Sequence, residues 1–210
     1  MNRGLLENMI AALIFLCYMP AMSQNDFDVA VTNALARRSR LVDPMFTNYL
    51  AQCIGQNTNE QMALSATIIH GLSQVEMYSK TMNQACISNA FRSISNAQLS
   101  SALTTNVWQY WHLQALNVIC MNTDNNLHGA YVIASNAWQQ IQAAAFVDST
   151  NDISRALVKF YDVGDGATIK DVIAVMYALD AYEIGRTNEV NAIKPYMTTP
   201  ARQRFESFLE

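Results

Sequence analysis

Apolar residues recur every three or four positions along most of this chain, and no stretch alternates apolar and polar residues over the length of a strand. That period marks helices that bury one face. Phe27, Val31, Ala34, Leu35 and Leu41 form a first stripe. Asp43-Pro44 reads as an N-cap followed by proline at the first helical position, opening a helix that Gly55 is expected to close. Thr58-x-x-Gln61 reads as a capping box before a long helix that carries Met62, Ala66, Ile69, Leu72 and Val75 along one side. Ser95-x-x-Gln98 reads as a second capping box, and the helix it opens is expected to run unbroken to about Met121.

Residues 122–126, all Asn, Thr or Asp, read as a turn, and a further helix starts at Leu127. A loop with several N-cap candidates at 149–152 precedes a short amphipathic helix, which ends in the Gly-rich turn around Asp165-Gly166. The next helix has the clearest pattern. Ile169, Val172, Ile173, Met176, Leu179 and Tyr182 share a face, Lys170, Asp171 and Asp180 lie away from it, and Gly185 closes it. Thr199-Pro200 opens a last helix. The expected fold is therefore all-α, a bundle of about seven helices around a long central hydrophobic helix near 96–121.

The first 23 residues depart from this pattern. Arg3 supplies a positive start, residues 9–19 are an apolar run too short to span a bilayer, and Pro20 ends it before Ala21-Met22-Ser23. This reads as a signal peptide cleaved before Gln24, with Glu7 an untidy presence in it. The expected product is a secreted, extracellular protein with one helical domain over 24–210. Residues 148–210 form its more charged layer.

Charge sharpens the picture. Only 14% of the residues are charged, the formal net charge is −4, and Asn, Gln, Ser and Thr take up the difference. Between residues 81 and 147 the only charges are Arg92 and Asp124. An acidic chain with a single basic triplet, Arg37-Arg38-x-Arg40, is not expected to bind nucleic acid. The triplet reads as a solvated helix end. The polar content of the apolar runs also argues against an integral membrane protein.

Chemical motifs are scarce. His70, His112 and His128 share no metal-ligand spacing, and the segment around Gly166 lacks the acidic residues of a calcium loop. No Gly-rich phosphate loop or nucleophile elbow is present. No cofactor, metal or catalytic residue is expected, and nothing points to an enzyme. Removal of residues 1–23 would leave Cys53, Cys86 and Cys120, an odd number. One disulfide with a leftover thiol, three buried thiols and an intermolecular bridge are all open.

The uncharged central segment supplies the candidate site. On a helical wheel Trp108, Trp111, Ala115, Val118 and Ile119 fall on one side, Leu113, Leu116 and Cys120 on the other, and Tyr110 and Met121 in a third sector. Trp108, Tyr110, Trp111 and His112, with Trp138 from the following helix, are the candidate pocket or interface, since aromatics beside a few polar groups line apolar pockets and interfaces alike.

Two stretches are similar in pattern to helical silk domains, in which Phe, Asn-Ala-Leu, Ser and a later Phe or Leu recur. The match rests on Phe27, Asn33-Ala34-Leu35, Ser39, Leu41 and Phe46, and 89–103 repeats part of it. The arginine triplet, three tryptophans and eleven methionines depart from such domains, so the likeness assigns no family. The expected function is structural or assembling, through self-association or contact with another secreted protein. A carrier of a small apolar ligand is the alternative, and an effector that binds a host protein is the third reading.

Overall fold

In this computed structural model residues 23–56, 59–105, 107–144 and 151–210 are described, and the segment 1–23 read as a signal peptide lies outside them apart from Ser23. Among the described residues every regular element is helical, eleven α-helices and one short 3-10 turn. No helix among them is long and apolar enough to cross a membrane.

Helix α1 (Gln24–Leu35) buries Phe27, Val31, Ala34 and Leu35, the stripe seen in the sequence. Ser23 caps it, accepting the Asp26 N–H at 3.2 Å and donating to the Asp26 carboxylate at 2.6 Å. After the single turn α2 (Arg38–Leu41), α3 (Pro44–Gln56) starts behind Asp43, whose carboxylate accepts the Met45 N–H at 2.9 Å. Gly55 does not close α3, which continues through Gln56. Thr58 of the expected capping box lies outside the described residues, and Asn59 caps α4 (Glu60–Thr81), accepting the Met62 N–H at 3.2 Å. Met82, in the left-handed conformation at φ 53°, ends α4, and Asn83 caps α5 (Gln84–Gln98).

The expected helix over 96–121 is two helices. Ser95 does not start one; it lies inside α5 and its hydroxyl bonds back to the Phe91 carbonyl at 3.0 Å. Helix α6 begins only at Trp108 and runs to Thr123 (Trp108–Thr123). Between them stand Ser100, Ser101, Thr104 and Thr105, whose hydroxyls compete for backbone groups. Ser100 accepts the Ala102 N–H at 3.3 Å, and turns close from Leu103 N–H to the Ser100 carbonyl and from Val107 N–H to the Thr104 carbonyl. The capping-box pattern was a coincidence of spacing, and the hydroxyl-rich run was the true boundary.

Helix α6 is nonetheless central. Its Leu113, Leu116 and Cys120 belong to a core shared with α1 to α5. Its Trp111, Ala115 and Val118 belong to a second core shared with α7 (Leu127–Ala143), α9 (Ile169–Glu183), α10 (Thr187–Ile193) and α11 (Thr199–Ser207). Trp108 and Ile119, grouped with Trp111 on the helical wheel, pack against the first core instead. Helix α8 (Asp152–Tyr161) is divided in the same way, with Ile153, Leu157 and Phe160 in the first core and Val158 in the second. Each fully buried aliphatic side chain here contributes on the order of 1.5–3 kcal/mol.

Helix α9 corrects the clearest amphipathic reading. Ile169, Val172 and Ile173 are fully buried as expected, but so are Ala174, Val175, Ala178 and Ala181 on other sides. Asp171 and Asp180, expected to face solvent, are each 3% exposed. Asp171 forms a capping box with Thr168 and also accepts the Thr198 N–H at 2.8 Å, so one carboxylate ties the starts of α9 and α11 together. The turn before α9 holds Gly164 at φ 119°, where a Cβ would lie 2.7 Å from the Pro200 carbonyl carbon, so only glycine fits.

Candidate functional site

The sequence-derived candidates sit inside the molecule. Trp111 and His112 are fully buried, and Trp138 is 5% exposed with its ring edge-on to Tyr196 and Lys170 above it. Trp108 is partly buried and packs edge-on against His112 at 5.5 Å between centroids. Tyr110 stands apart, donating to the Gln140 side chain at 2.5 Å and meeting Trp111 edge-on. So Trp108 and His112 come together, Tyr110 and Trp111 come together, and Trp138 makes a separate contact. None of the five lines any of the three grooves described on this surface.

His112 is the hub of a buried polar cluster. Its Nε2 is 2.9 Å from the Ser154 hydroxyl and its Nδ1 is 3.4 Å from the Tyr161 hydroxyl, both on α8. The Tyr161 ring stacks on the imidazole at 5.7 Å. Burial pulls the His112 pKa down to about 3, so the ring is neutral at ordinary pH. Burial likewise raises the Tyr161 pKa. A histidine beside a serine suggests a nucleophile and its base, but here Ser154 is only 2% exposed and the second ring nitrogen faces a phenol rather than a carboxylate. The arrangement pins α8 to α6 and has the form of a satisfied core histidine.

Most of the other chemistry-bearing groups are also internal. Cys53, Cys86 and Cys120 are buried and form no disulfide with one another. Burial, followed by the nearby Asp124 charge, pushes Cys120 up to about 12, and burial raises Cys53 as well. Among the described residues no group of three or more His, Cys, Asp or Glu could hold a metal ion. His70 is partly buried beside Ser93, 3.0 Å from its hydroxyl, and His128 is exposed and stacked on Tyr131. Asp180 is buried against Asn122, with burial raising its pKa to about 6 against the opposing Asn122 hydrogen bond.

Two of these three grooves lie along α8. A groove of about 960 Å³ separates α8 from the end of α1. A smaller one of about 430 Å³ lies on the other flank of α8, beside the Gly164–Ala167 turn. Arg155 and Lys159, one helical turn apart, border both. Arg38, from the arginine triplet, crosses to the first groove's wall. It donates to the Phe160 carbonyl at 2.7 Å, lies 4.4 Å over the Phe160 ring and pairs with Glu76 at 3.4 Å. The sequence reading of a plain solvated triplet missed this. The helical spacing of Arg155 and Lys159 was visible in the sequence, but not their alignment with a residue over a hundred positions away.

The polar ties that remain are structural. Glu189 accepts from Tyr131 at 2.8 Å, Tyr177 at 2.5 Å and Arg186 at 2.8 Å, joining α7, α9 and α10 at the surface. Compared with known proteins, the chain matches no family model, no curated protein and no solved structure.

Proposed function

We propose that this is a secreted, non-enzymatic helical protein with a structural or assembling role, acting through contact with further copies of itself. The observation that carries the reading is the solvent face of α7. This helix has no charged residue, and His128, Val132, Asn136, Gln139 and Ala143 form an exposed stripe along it. Two copies of an uncharged stripe meet without like-charge repulsion or the cost of desolvating ions, and their amides can hydrogen-bond one another. A protein that needed only solubility would carry charge here. The three buried thiols make a non-covalent association the expected kind.

Sedimentation velocity over a wide range of protein concentration tests this. The expected result is reversible self-association that is lost when Val132→Lys and Gln139→Lys are combined. A species that stays monomeric at every concentration overturns the reading, as does association that the double variant leaves unchanged.

A second reading, a carrier of a small ligand, is favoured by the groove between α1 and α8 rather than by the buried tryptophans.

A further inference from the structure

We infer that the groove between α1 and α8 binds a single anionic amphiphile, a medium- or long-chain carboxylate, with its head on Lys159 and its chain along Leu35, Ala36, Ala156 and Phe160. The inference deepens the carrier reading and is independent of the α7 stripe.

The volume, about 960 Å³, is in the range of ligand sites and far above what a lone ion needs. Apolar side chains lie at its floor. Leu35 and Phe160 reach it from the first core, at 4% and 8% exposure, and Ala36 and Ala156 are small enough to leave room above them. Its rim is cationic, with Arg38, Arg155 and Lys159 against Asp152 and Asp162. Both acids are already engaged. Asp152 pairs with Arg155, and Asp162 pairs with Arg204, which reaches in from α11. Arg38 is likewise engaged by Glu76. Lys159 alone of the three lining cations makes no ion pair among the described residues.

An exposed ammonium one helical turn from a guanidinium, above an apolar trough, matches a carboxylate with a hydrocarbon tail on both counts. A neutral apolar ligand would leave Lys159 unused. A small anion would leave the trough empty.

The test is isothermal titration calorimetry of the full chain at neutral pH with laurate below its micelle concentration, alongside dodecanol and acetate. Two variants change exposed positions: Lys159→Glu reverses the rim charge, and Ala36→Trp fills the trough. Circular dichroism confirms that each variant is folded. The expected result is one laurate site, with affinity about tenfold lower in each variant, dodecanol about tenfold weaker than laurate, and no acetate binding. No laurate binding, or laurate binding that neither variant weakens, overturns the inference. Acetate binding as well as laurate would show a simple anion site, and dodecanol binding as well as laurate would show an apolar one; either result also overturns it. Sedimentation of the same variants separates this outcome from the α7 reading, because neither substitution lies on α7.

Discussion

Asn122 on α6 donates its side-chain amide to Asp180 Oδ1 on α9 at 2.8 Å, while Asn122 Oδ1 and Asp180 Oδ2 are both buried without a hydrogen-bond partner. A proton on Asp180 Oδ2 supplies the missing donor, which agrees with a pKa raised to about 6 by burial, with Glu183 adding to it and Asn122 opposing it. A carboxyl whose folded pKa lies above its unfolded value binds more protons when folded. Its contribution is therefore favourable below about pH 4 and turns unfavourable as pH rises through 6. Asp180→Asn places a neutral donor there permanently. It is expected to stabilise the protein at pH 7.5 by about 1–3 kcal/mol in urea unfolding, with the gain shrinking toward pH 4.

His112 has the opposite slope. Its folded pKa, about 3, lies below the ordinary 6.5, so the unfolded chain takes up a proton that the folded one refuses. Stability is expected to fall as pH drops from about 6.5 toward 3. Unfolding curves of the Asp180→Asn protein at several pH values remove the opposing Asp180 slope, and His70, whose pKa burial also lowers, adds to what remains. Ser154→Ala, which strands the His112 Nε2 in the core, is expected to cost about 1–3 kcal/mol at neutral pH.

Ser23 caps α1, yet the expected signal-peptide cleavage falls immediately after it. Intact mass of the protein from its natural source is expected to show a chain starting at Gln24, and a product that keeps residues 1–23 contradicts the signal-peptide reading. Where Ser23 is retained, Ser23→Ala is expected to lower stability by about 1 kcal/mol by urea titration.

The buried thiols are expected to react with a thiol reagent at the rate of unfolding rather than that of a free thiol. Non-reducing and reducing gels are expected to show the same monomer band. A disulfide-linked dimer would contradict the buried placement of Cys53, Cys86 and Cys120.

Gly164→Ala is expected to lower stability by about 1–3 kcal/mol, since the added Cβ meets the Pro200 backbone at a φ that L-residues rarely adopt. Thermal unfolding checks this, and an unchanged midpoint would mean that the α8–α9 turn can move away from α11.

Helix class and most helix starts were legible because caps are local: Asp43-Pro44, the Asn-rich turn before Leu127 and the Asn151 cap of α8 each carry their own signal. The two opposed faces of α6 were legible in part: Leu113, Leu116 and Cys120 do part from Trp111, Ala115 and Val118, but Trp108 and Ile119 fall on the side opposite to the one expected. The Phe27, Ala34, Leu35 and Leu41 pattern similar to silk domains is the buried face of two ordinary helices. Other features depended on what packs on top. Asp180 looked solvated because its partner Asn122 lies 58 positions away. The break at 99–107 was hidden because an uncharged serine and threonine run can be helix or turn. The groove required α8 to be laid beside α1, which no local pattern encodes.

A helix shared by two cores also governs how the molecule comes apart. Melting of α1 to α5 would bare Leu113, Leu116 and Cys120 of α6, and melting of α7 and α9 would bare Trp111, Ala115 and Val118. Neither half can leave without exposing a tightly packed surface on the helix that the other half still holds. The described helices are thus expected to unfold as one cooperative unit, with α6 as the element through which damage to either side is felt by both.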